Sequence, residues 1–433
     1  MRLYDIFLKH PLICTDSRNC PPDSIFFALK GDNFDANGFA AGALEKGCAY
    51  AVIDNPQYAV DERFIVVNDV LESLQELARF HREKLGTKII GITGTNGKTT
   101  TKELIASVLM EKFNTHFTRG NFNNHIGVPL TLLQLKPEHD IAVVEMGANH
   151  PGEIKMLAEI ALPDYGIITN VGKAHLEGFG SFEGVMNTKA ELYDFILKKS
   201  GKIFLNTGNE YLKKMAEKSG FRDANSILAY KTDSEINGNQ ATGTITSCSP
   251  LLRMKCVTSE GDFDVKTQLI GTYNAENVLA AVAIGNYLEV SNDQIKAGLE
   301  NYQPRNNRSQ FTETDKNKLI IDAYNANPTS LQAAILNFAQ MEAPHKTLII
   351  GDMLELGSQS AEEHQKVVDL VNESGFTDVF LVGPNFNATR NNFSNFADVD
   401  LLKEYLQKNP LINRFILIKG SHGIHLEKVI SEL

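Results

Sequence analysis

Cysteine is scarce in this sequence of 433 residues, and its spacing is irregular. Zinc sites usually carry C-x-x-C pairs, and secreted disulfide frameworks usually hold an even set of cysteines. No C-x-x-C pair occurs here, and the cysteines are five in number: Cys14, Cys20, Cys48, Cys248 and Cys256. We therefore expect no disulfide framework and no zinc site, and we interpret these residues as free thiols in a reducing compartment.

Long apolar runs and a basic charge balance are also missing. No stretch approaches the roughly 18 consecutive apolar residues of a membrane span, and the first residues lack the basic-then-apolar layout of a secretory signal. The formal net charge is −11, whereas general nucleic-acid binding needs a basic surface. We therefore expect a cytoplasmic protein that binds neither membranes nor nucleic acid.

Hydrophobic residues make up 42% and charged residues 22%, which is the balance of a soluble globular enzyme. The length exceeds that of one ordinary core, so two or three domains are expected. Strand-length apolar runs alternate with segments of helical periodicity, and this alternation predicts an α/β fold. Strands are predicted at 24–29, 50–53, 64–67, 88–93, 141–144, 165–168, 202–205, 319–322, 347–351, 379–382 and 415–418, and helices at 70–84, 99–113, 274–287, 328–341, 360–374 and 399–408.

Two short segments, Leu85-Gly86-Thr87 and Gln303-Pro304, resemble linkers and divide the chain into three predicted domains. These are a small N-terminal α/β domain at 1–85, a central domain with a mostly parallel sheet at 86–303, and a C-terminal Rossmann-like, doubly wound domain at 304–433. Residues 228–270 alternate polar and apolar residues, which predicts an antiparallel edge or subsheet of the central domain.

A glycine-rich loop, Gly94-Thr95-Asn96-Gly97-Lys98-Thr99-Thr100, lies between a predicted strand and a predicted helix. Glycines let the backbone wrap an anion, while Lys98 can reach phosphates and the Thr99 hydroxyl can bind Mg²⁺. The strict Walker spacing is not met, because Ile92 stands where the first glycine is required. The loop predicts a P-loop-type nucleoside triphosphate site, which kinases, switches, motors and ligases share.

Three further side chains are candidates for this site. Glu145 follows a predicted strand directly, where ligands bind in open α/β sheets, and a carboxylate suits Mg²⁺. His175 follows the next strand, but imidazole is a softer ligand and a lone loop histidine is more often a surface residue. Lys189 is read as part of a solvated helix face near Glu191. The residues alone leave these alternatives open.

With these motifs side by side, the sequence resembles the Mur ligase family over nearly its whole length. The resemblance implies ATP, Mg²⁺ (two ions) and CO₂ as cofactors, the CO₂ converting Lys189 into a metal-binding carbamate. It implies magnesium ligands at Thr99, Glu145, His175 and Lys189, and catalytic roles for Lys98, Lys189, His175 and Arg308. Asn274 would face adenine, Arg308 the γ-phosphate and Asp322 the ribose. Asn307 replaces the usual glycine before Arg308, and His422 stands where the family often has arginine.

Longer stretches resemble the branch of the family that adds D-alanyl-D-alanine; they lie at 120–129, 145–154, 174–181, 323–328 and 351–357. The segment 15–18, with 26–31 and 34–38, resembles the family's UDP-sugar domain. The resemblance therefore implies a set of substrate-binding residues: Ser17, Arg18, Asn121, Asn123, Asn124, Tyr324, Asn325 and Asn327.

The implied activity is an ATP-dependent amide ligation in peptidoglycan synthesis. A monomer would join D-alanyl-D-alanine to UDP-N-acetylmuramoyl-tripeptide through an acyl phosphate, and the sequence leaves open whether the third residue of the tripeptide is diaminopimelate or lysine. Another glutamate or amino-acid ligase of the superfamily is the alternative, disfavoured by the segments 123–124 and 324–327. A phosphotransferase or nucleotide switch would not need Lys189, and an inactive homologue would not need the whole set of candidate residues.

Overall fold

The computed structural model describes residues 2–31, 33–233, 235–305 and 307–433. It divides the chain into two compact units. The first comprises the described residues of 1–92, 113–148 and 152–165, and the second comprises those of 93–112, 149–151 and 166–433.

The α-helices are α1 (Arg2–Lys9), α2 (Ala40–Glu45), α3 (Val70–Leu85), α4 (Lys98–Met110), α5 (Gly127–Leu132), α6 (Glu153–Ala161), α7 (Leu176–Phe179), α8 (Phe182–Lys198), α9 (Glu210–Ser219), α10 (Ala275–Tyr287), α11 (Asn292–Asn301), α12 (Pro328–Gln340), α13 (Ser360–Glu373), α14 (Pro384–Asn387) and α15 (Val399–Lys408). Short 3-10 helices lie at Ala36–Phe39, Pro56–Tyr58, Ala224–Ser226, Thr272–Asn274, Gly357–Gln359, His422–Ile424 and Leu426–Glu432.

The strands are β1 (Ile13–Cys14), β2 (Ile25–Phe27), β3 (Lys30–Gly31), β4 (Phe34–Asp35), β5 (Tyr50–Ile53), β6 (Phe64–Val66), β7 (Lys88–Thr93), β8 (Thr115–Phe117), β9 (Ile141–Glu145), β10 (Tyr165–Ile168), β11 (Lys202–Asn206), β12 (Ile227–Thr232), β13 (Ala241–Cys248), β14 (Leu251–Thr258), β15 (Gly261–Ile270), β16 (Gln310–Glu313), β17 (Lys318–Asp322), β18 (Lys346–Gly351), β19 (Val379–Val382), β20 (Ser394–Phe396) and β21 (Phe415–Lys419).

The first unit contains a four-stranded parallel sheet in the order β1-β2-β5-β6. Its apolar side chains, among them Phe26, Ala51 and Ile53, form one buried cluster with residues of α2. The same unit pairs β7 with β9 and β9 with β8, all in parallel. The register places Ile92 beside Glu145, so the carboxylate lies at the carboxyl end of its strand, as the sequence predicts.

The second unit contains neighbouring strands in the order β10-β11-β12-β13-β14-β15. Strand β12 pairs in parallel with both β11 and β13, whereas β13, β14 and β15 pair antiparallel. The predicted antiparallel edge at 228–270 is therefore confirmed for the last three strands and wrong for β12. Antiparallel strands can follow one another through short turns, which explains the compact spacing of β13, β14 and β15.

Residues 310–419 of the second unit form a six-stranded sheet in the order β16-β17-β21-β18-β19-β20. Only β16 pairs antiparallel within the described sheet. Alternate residues of the buried strands enter two separate cores, so that Ile320 packs with Leu331 of α12 while Ile321 packs with Leu402 of α15. The predicted α/β fold with large, mostly parallel sheets is confirmed, and the domain boundaries at 85/86 and 303/304 stay predictions.

Within the described residues, every helix is too short or too polar to cross a lipid bilayer.

Candidate active site

The glycine-rich loop connects β7 to α4, as the sequence predicts. Gly94 and Gly97 both have positive φ, at 144° and 75°. A Cβ on Gly94 would lie 2.0 Å from Thr169 Oγ1, and one on Gly97 would lie 2.7 Å from Asn277 Oδ1. Only glycine can therefore occupy these two positions, because other residues would be strained as well as crowded.

Lys98 is the first residue of α4, and its ammonium group folds back over the loop. The Nζ atom donates hydrogen bonds to the carbonyl oxygens of Gly94, at 2.8 Å, and Thr95, at 3.1 Å. Thr99 is buried beside it, whereas Thr100 is half-buried. A bound anion would offer the ammonium stronger, charge-assisted partners than these neutral carbonyls.

Two residues that sequence reasoning missed hold this loop. Asn170 accepts the backbone N–H of Asn96 at 2.9 Å and donates its own amide to the Asn96 carbonyl at 3.0 Å. Thr169 donates its hydroxyl to the same carbonyl at 2.7 Å. Both follow β10 directly, and polar residues at the carboxyl end of a buried strand of an α/β sheet were the signal that could have identified them.

Asn96 has a third side-chain partner. Asn327 donates its amide to Asn96 Oδ1 at 2.7 Å, and its own Oδ1 accepts the backbone N–H of Ser330 at 2.9 Å. Asn327 is thus the N-cap of α12 and a contact of the phosphate loop at once.

Asn274 lies at the start of α10 with its side chain buried. Its amide donates to the Ile270 carbonyl at 2.7 Å, and its oxygen accepts from Asn277 at 2.7 Å. Asn277 in turn accepts the Thr101 hydroxyl of α4 at 3.0 Å. In this structure the amide of Asn274 therefore supports the helix that follows the phosphate loop, and the predicted contact with adenine stays a prediction.

Arg308, Tyr324 and His422 form a continuous stack. The Arg308 guanidinium carbon lies 3.6 Å from the centre of the Tyr324 ring, which is a cation–π contact. The Tyr324 ring stacks on His422 with centroids 5.6 Å apart and an interplanar angle of 10°. His422, which replaces the arginine often found in the family, is thereby in contact with a predicted substrate residue.

Asp322 and Asn325 are linked through a lysine. The buried Lys419 donates to Asp322 Oδ2 at 2.5 Å and to the Asn325 carbonyl at 3.2 Å. The other carboxylate oxygen of Asp322 accepts the backbone N–H of Ser309 at 3.2 Å. The structure therefore fixes Asp322 beside the residue that follows Arg308.

His175 has left-handed backbone geometry and contacts the carboxylate of Glu355 through Nδ1. The hydrogen bond from His175 holds the pKa of Glu355 below its usual range. Two residues earlier, Lys173 pairs with Glu363 at 3.1 Å. Both acidic partners were missed by sequence reasoning, although Glu355 lies in the quoted segment 351–357.

Lys189 is only 2% exposed on α8, so its interpretation as part of a solvated helix face is wrong. Its Nζ lies 5.3 Å from the centre of the Phe179 ring. Burying a lysine costs free energy unless its charge is paired or removed. The burial of Lys189 therefore sets it apart from an ordinary surface lysine.

In the first unit, the structure brings Glu145 and Asn123 together. Glu145 is 1% exposed, and its Oε1 accepts the Asn123 amide at 2.9 Å. Asn124 makes a different contact: its side-chain oxygen accepts the backbone N–H of Gly127, at the start of α5, at 2.8 Å. Asn121 is exposed and accepts the Asn123 N–H through its carbonyl at 2.7 Å.

Ser17 and Arg18 lie on a turn after β1, where Ser17 is half-buried and Arg18 is exposed. Arg18 pairs with Asp16 at 2.9 Å, and its side-chain hydrogen bond lowers the pKa of that carboxyl group to about 2. The Ser17 carbonyl accepts the Lys46 ammonium at 2.6 Å. Arg18 on the turn and Lys46 beside it are therefore two cationic side chains close to Ser17, which suits a phosphorylated ligand.

Comparison with known proteins places this geometry in a family. The Mur ligase middle domain matches residues 92–285, and the Mur ligase, glutamate ligase domain matches residues 307–422. UDP-N-acetylmuramoyl-tripeptide--D-alanyl-D-alanine ligase of Bacillus subtilis (strain 168) is 34% identical over 97% of this chain and 92% of its own length.

Two solved structures are similar over the same extent. A crystal structure of MurF from Acinetobacter baumannii has a TM-score of 0.85 and 32% identity, covering 97% of this chain and 92% of that one. MurF ligase from Thermotoga maritima in complex with ADP also has a TM-score of 0.85, at 25% identity, covering 98% and 97%.

The two matched domains, of which the first contains the phosphate loop, define the class of the protein as an ATP-dependent ligase. The chain belongs to the Mur ligase family, and the resemblance seen in the sequence is confirmed. The same matches confirm the ATP-dependent peptide ligase activity that was inferred from the sequence.

Proposed function

We propose that this protein adds D-alanyl-D-alanine to UDP-N-acetylmuramoyl-tripeptide, forming the pentapeptide precursor of peptidoglycan. The observation that carries the proposal is the likeness to a relative of that name over 97% of the chain, at 34% identity. A shared phosphate loop alone would support only nucleotide binding.

Joining a carboxylate to an amine is unfavourable in water, so the carboxylate must first be activated. Transfer of the ATP γ-phosphate to the tripeptide carboxylate gives an acyl phosphate and ADP. The dipeptide amine then attacks the acyl carbon, the amide bond forms, and inorganic phosphate leaves with the electron pair of the broken C–O bond. Lys98 and Arg308 would offset the repulsion between the two anions that must meet.

Lys98 suits this role because neutral carbonyl oxygens of the loop are among its partners. The β- and γ-phosphates of ATP would replace its hydrogen bonds to the carbonyl oxygens of Gly94 and Thr95. Thr169, Asn170 and Asn327 would keep the Asn96 segment of the loop in place while Lys98 changes partners.

The chemistry of the proposed ligands suits Mg²⁺. The buried carboxylate of Glu145 and the buried hydroxyl of Thr99 are hard oxygen donors, which Mg²⁺ prefers. His175 and a carbamylated Lys189 would complete the proposed ligands of two ions. Bound magnesium would supply charge neutralisation at the phosphates.

Carbamylation of Lys189 is supported by its burial. An ammonium group at 2% exposure loses most of its hydration, whereas reaction of the neutral amine with CO₂ gives a carbamate anion that a metal ion can neutralise. The same position would thus change from a cation that repels magnesium into a ligand.

The remaining residues would bind ATP and the two substrates that are joined. Residues 1–85 would hold the UDP end through Ser17 and Arg18. Residues 86–303 would bind ATP, with Asn274 at the adenine, while Asp322 of the third segment would lie at the ribose. Residues 304–433 would receive the dipeptide. The other proposed substrate residues are Asn121, Asn123, Asn124, Tyr324, Asn325 and Asn327. The protein would act as a monomer in the cytoplasm.

The test is phosphate release from ATP in a dropout series. UDP-N-acetylmuramoyl-tripeptide, D-alanyl-D-alanine and Mg²⁺ are each omitted in turn, and the products are identified by mass spectrometry. We expect release to require all three and to yield the UDP-linked pentapeptide. Turnover with a single amino acid in place of the dipeptide would instead favour another ligase of the family. Tripeptides ending in diaminopimelate and in lysine are compared in parallel.

A further inference from the structure

Three cysteines meet in the first unit, two from neighbouring positions, Cys14 and Cys20, and one from a later segment, Cys48. The sulfur atoms of Cys14, Cys20 and Cys48 all lie within 4.8 Å of one another. Parallel pairing of β1 with β2 and of β2 with β5 brings their segments together, since Cys14 pairs with Phe26 and Phe26 with Ala51. The expectation that the cysteines form no metal site rested on the missing C-x-x-C spacing, and tertiary structure supplies the proximity instead.

The cluster has a buried side and an open side. Cys14 and Cys48 are 4% and 3% exposed, whereas Cys20 is half-buried at the edge of the cluster. The weak contacts of the thiols are with neutral groups: Cys14 donates to the Asp16 carbonyl at 3.3 Å, Cys20 donates to the Ser17 carbonyl at 3.5 Å, and Cys48 lies 3.2 Å from the Ser24 hydroxyl.

We propose that Cys14, Cys20 and Cys48 form a binding site for a thiophilic d¹⁰ metal ion, Zn²⁺ or Cu⁺. Three thiolates are a soft ligand set, which excludes Mg²⁺ and Ca²⁺ as natural occupants. A Zn–S bond of about 2.3 Å places tetrahedral sulfur atoms about 3.8 Å apart, so shifts of about 1 Å close the site. Solvent at the Cys20 side would provide a fourth ligand for Zn²⁺.

Binding displaces protons and adds charge. Three thiols release three protons as three metal–sulfur bonds form, which leaves a net charge of −1 with Zn²⁺ and −2 with Cu⁺. Burial raises the pKa of Cys14 to about 12 and also raises that of Cys48, so protons compete with a metal ion for these two sulfur atoms. The apparent affinity should therefore increase with pH. The Lys46 ammonium at the end of α2 donates to the Ser17 carbonyl at 2.6 Å, and its charge would offset part of the negative charge.

The site lies next to the turn that we assign to the UDP end of the substrate. Ser17 and Arg18 lie between Cys14 and Cys20 in the chain, so an ion bound by both cysteines would tie the two ends of this turn together. The metal site itself is independent of the proposed ligase reaction, because its ligands and its test do not involve either substrate.

The experiment uses the reduced full-length protein and Co²⁺ as a spectroscopic substitute for Zn²⁺. Thiolate ligation produces a near-ultraviolet charge-transfer band, which separates this site from the exposed group of His422, His425 and Glu427, whose ligand atoms also lie within 4.8 Å of one another. Zn²⁺ is then measured by displacement of Co²⁺ and by competition with a chromophoric chelator, and Cu⁺ by competition with a Cu⁺-specific chelator.

We expect one equivalent of metal with a thiolate band, and a loss of affinity on the order of 100-fold in Cys20→Ser and in Cys14→Ser. Cys248→Ser, outside the cluster, should bind as the unmodified protein does, and His425→Ala should keep the thiolate band. Cys20→Ser is the more informative variant because its half-buried position tolerates the change, and its melting curve checks folding.

Binding of only one of the two ions, Zn²⁺ or Cu⁺, at these cysteines would support the site and identify its occupant. The absence of a band with Co²⁺ together with the absence of Cu⁺ binding would overturn the proposal, and so would a band that Cys20→Ser leaves unchanged. Formation of a disulfide among these cysteines in air, in a protein that binds neither ion when reduced, would also overturn it.

Discussion

The side-chain amide of Asn327 donates a hydrogen bond of 2.7 Å to the side-chain oxygen of Asn96. The two residues are far apart in the chain, one in the phosphate loop and the other at the start of α12. Because the backbone N–H and carbonyl of Asn96 bond to Asn170, the Asn327 contact completes the polar environment of this loop residue. The start of α12 is therefore directly linked to the predicted nucleotide site.

This link predicts a role for Asn327 beyond helix capping. In Asn327→Ser the shorter side chain keeps a good N-cap but cannot reach Asn96, so stability should change little while kcat/KM for ATP falls about tenfold. Initial rates at varied ATP and a melting curve check both parts. Asn96→Ala is the matched variant: if the two residues act through their contact, the double variant should be no slower than Asn96→Ala, and additive losses would exclude that coupling.

Lys98 should be nearly indispensable for turnover. Lys98→Ala removes the cation expected to contact the phosphates, and we predict a rate loss of 100-fold or more, about 3 kcal/mol. Phosphate release measured at saturating substrates checks this prediction. Lys213→Ala, which removes an exposed lysine paired with Glu210 on α9, serves as the control and should retain its rate. Near-normal turnover in Lys98→Ala would remove Lys98 from the proposed mechanism.

Lys189 should be needed as a carbamate and not as a cation. We predict that Lys189→Ala is severely slowed and that short carboxylates such as formate or acetate partly restore its rate, because a carboxylate can occupy the place of the carbamate. The rates are measured with increasing carboxylate at constant ionic strength. Lys98→Ala should show no such recovery, and failure of rescue in Lys189→Ala would leave carbamylation unsupported.

The Tyr324 ring should support Arg308. Tyr324→Leu removes the π face under the guanidinium, and cation–π contacts of this kind contribute about 1 kcal/mol, so we expect a fall of about fivefold in kcat. Tyr324→Phe keeps the face and loses only the hydroxyl group, and it should retain most of the rate. Equal losses in both variants would assign the effect to the hydroxyl group instead of the stack.

His116 should make the first unit sensitive to acid. Burial lowers the pKa of His116 to about 4 from its usual 6.5, with opposition from its hydrogen bond to the Thr131 carbonyl. The unfolded chain takes up the proton near pH 6.5 and the folded chain only near pH 4, so stability is full above about 6.5 and is lost as the pH falls toward 4. His139, with its ring centroid 5.1 Å away and its own pKa lowered by burial, adds to the effect.

Melting temperatures between pH 7 and pH 4.5 check this prediction. His116→Gln does not titrate in this range, so its melting temperature should fall less than that of the unmodified protein. His125→Gln, which changes an exposed histidine of the same unit, should follow the unmodified profile. Identical profiles for all three proteins would show that His116 does not control acid stability.

Local patterns were sufficient for much of the fold. Periodicity predicted β7 at its observed bounds and α3, α10 and α12 to within a residue at each end, because buried strands and amphipathic helices leave repeats that do not depend on distant contacts. Strand β12 was missed as a parallel strand because pairing direction depends on which neighbour a strand meets. The N-terminal helix α1 was not predicted, because so short a segment shows too little hydrophobic periodicity.

The sequence by itself determined the phosphate loop, since the strand, the glycines, Lys98 and the following helix are contiguous, and it determined the family through long matching segments. Only the tertiary structure decided the partners: Asn170 and Asn327 around Asn96, Glu355 beside His175, the burial of Lys189, and the meeting of Cys14, Cys20 and Cys48. The physical reason is that chain-local geometry fixes neighbours a few residues apart, whereas contacts such as those of Asn96, across 74 and 231 positions, depend on sheet order and packing.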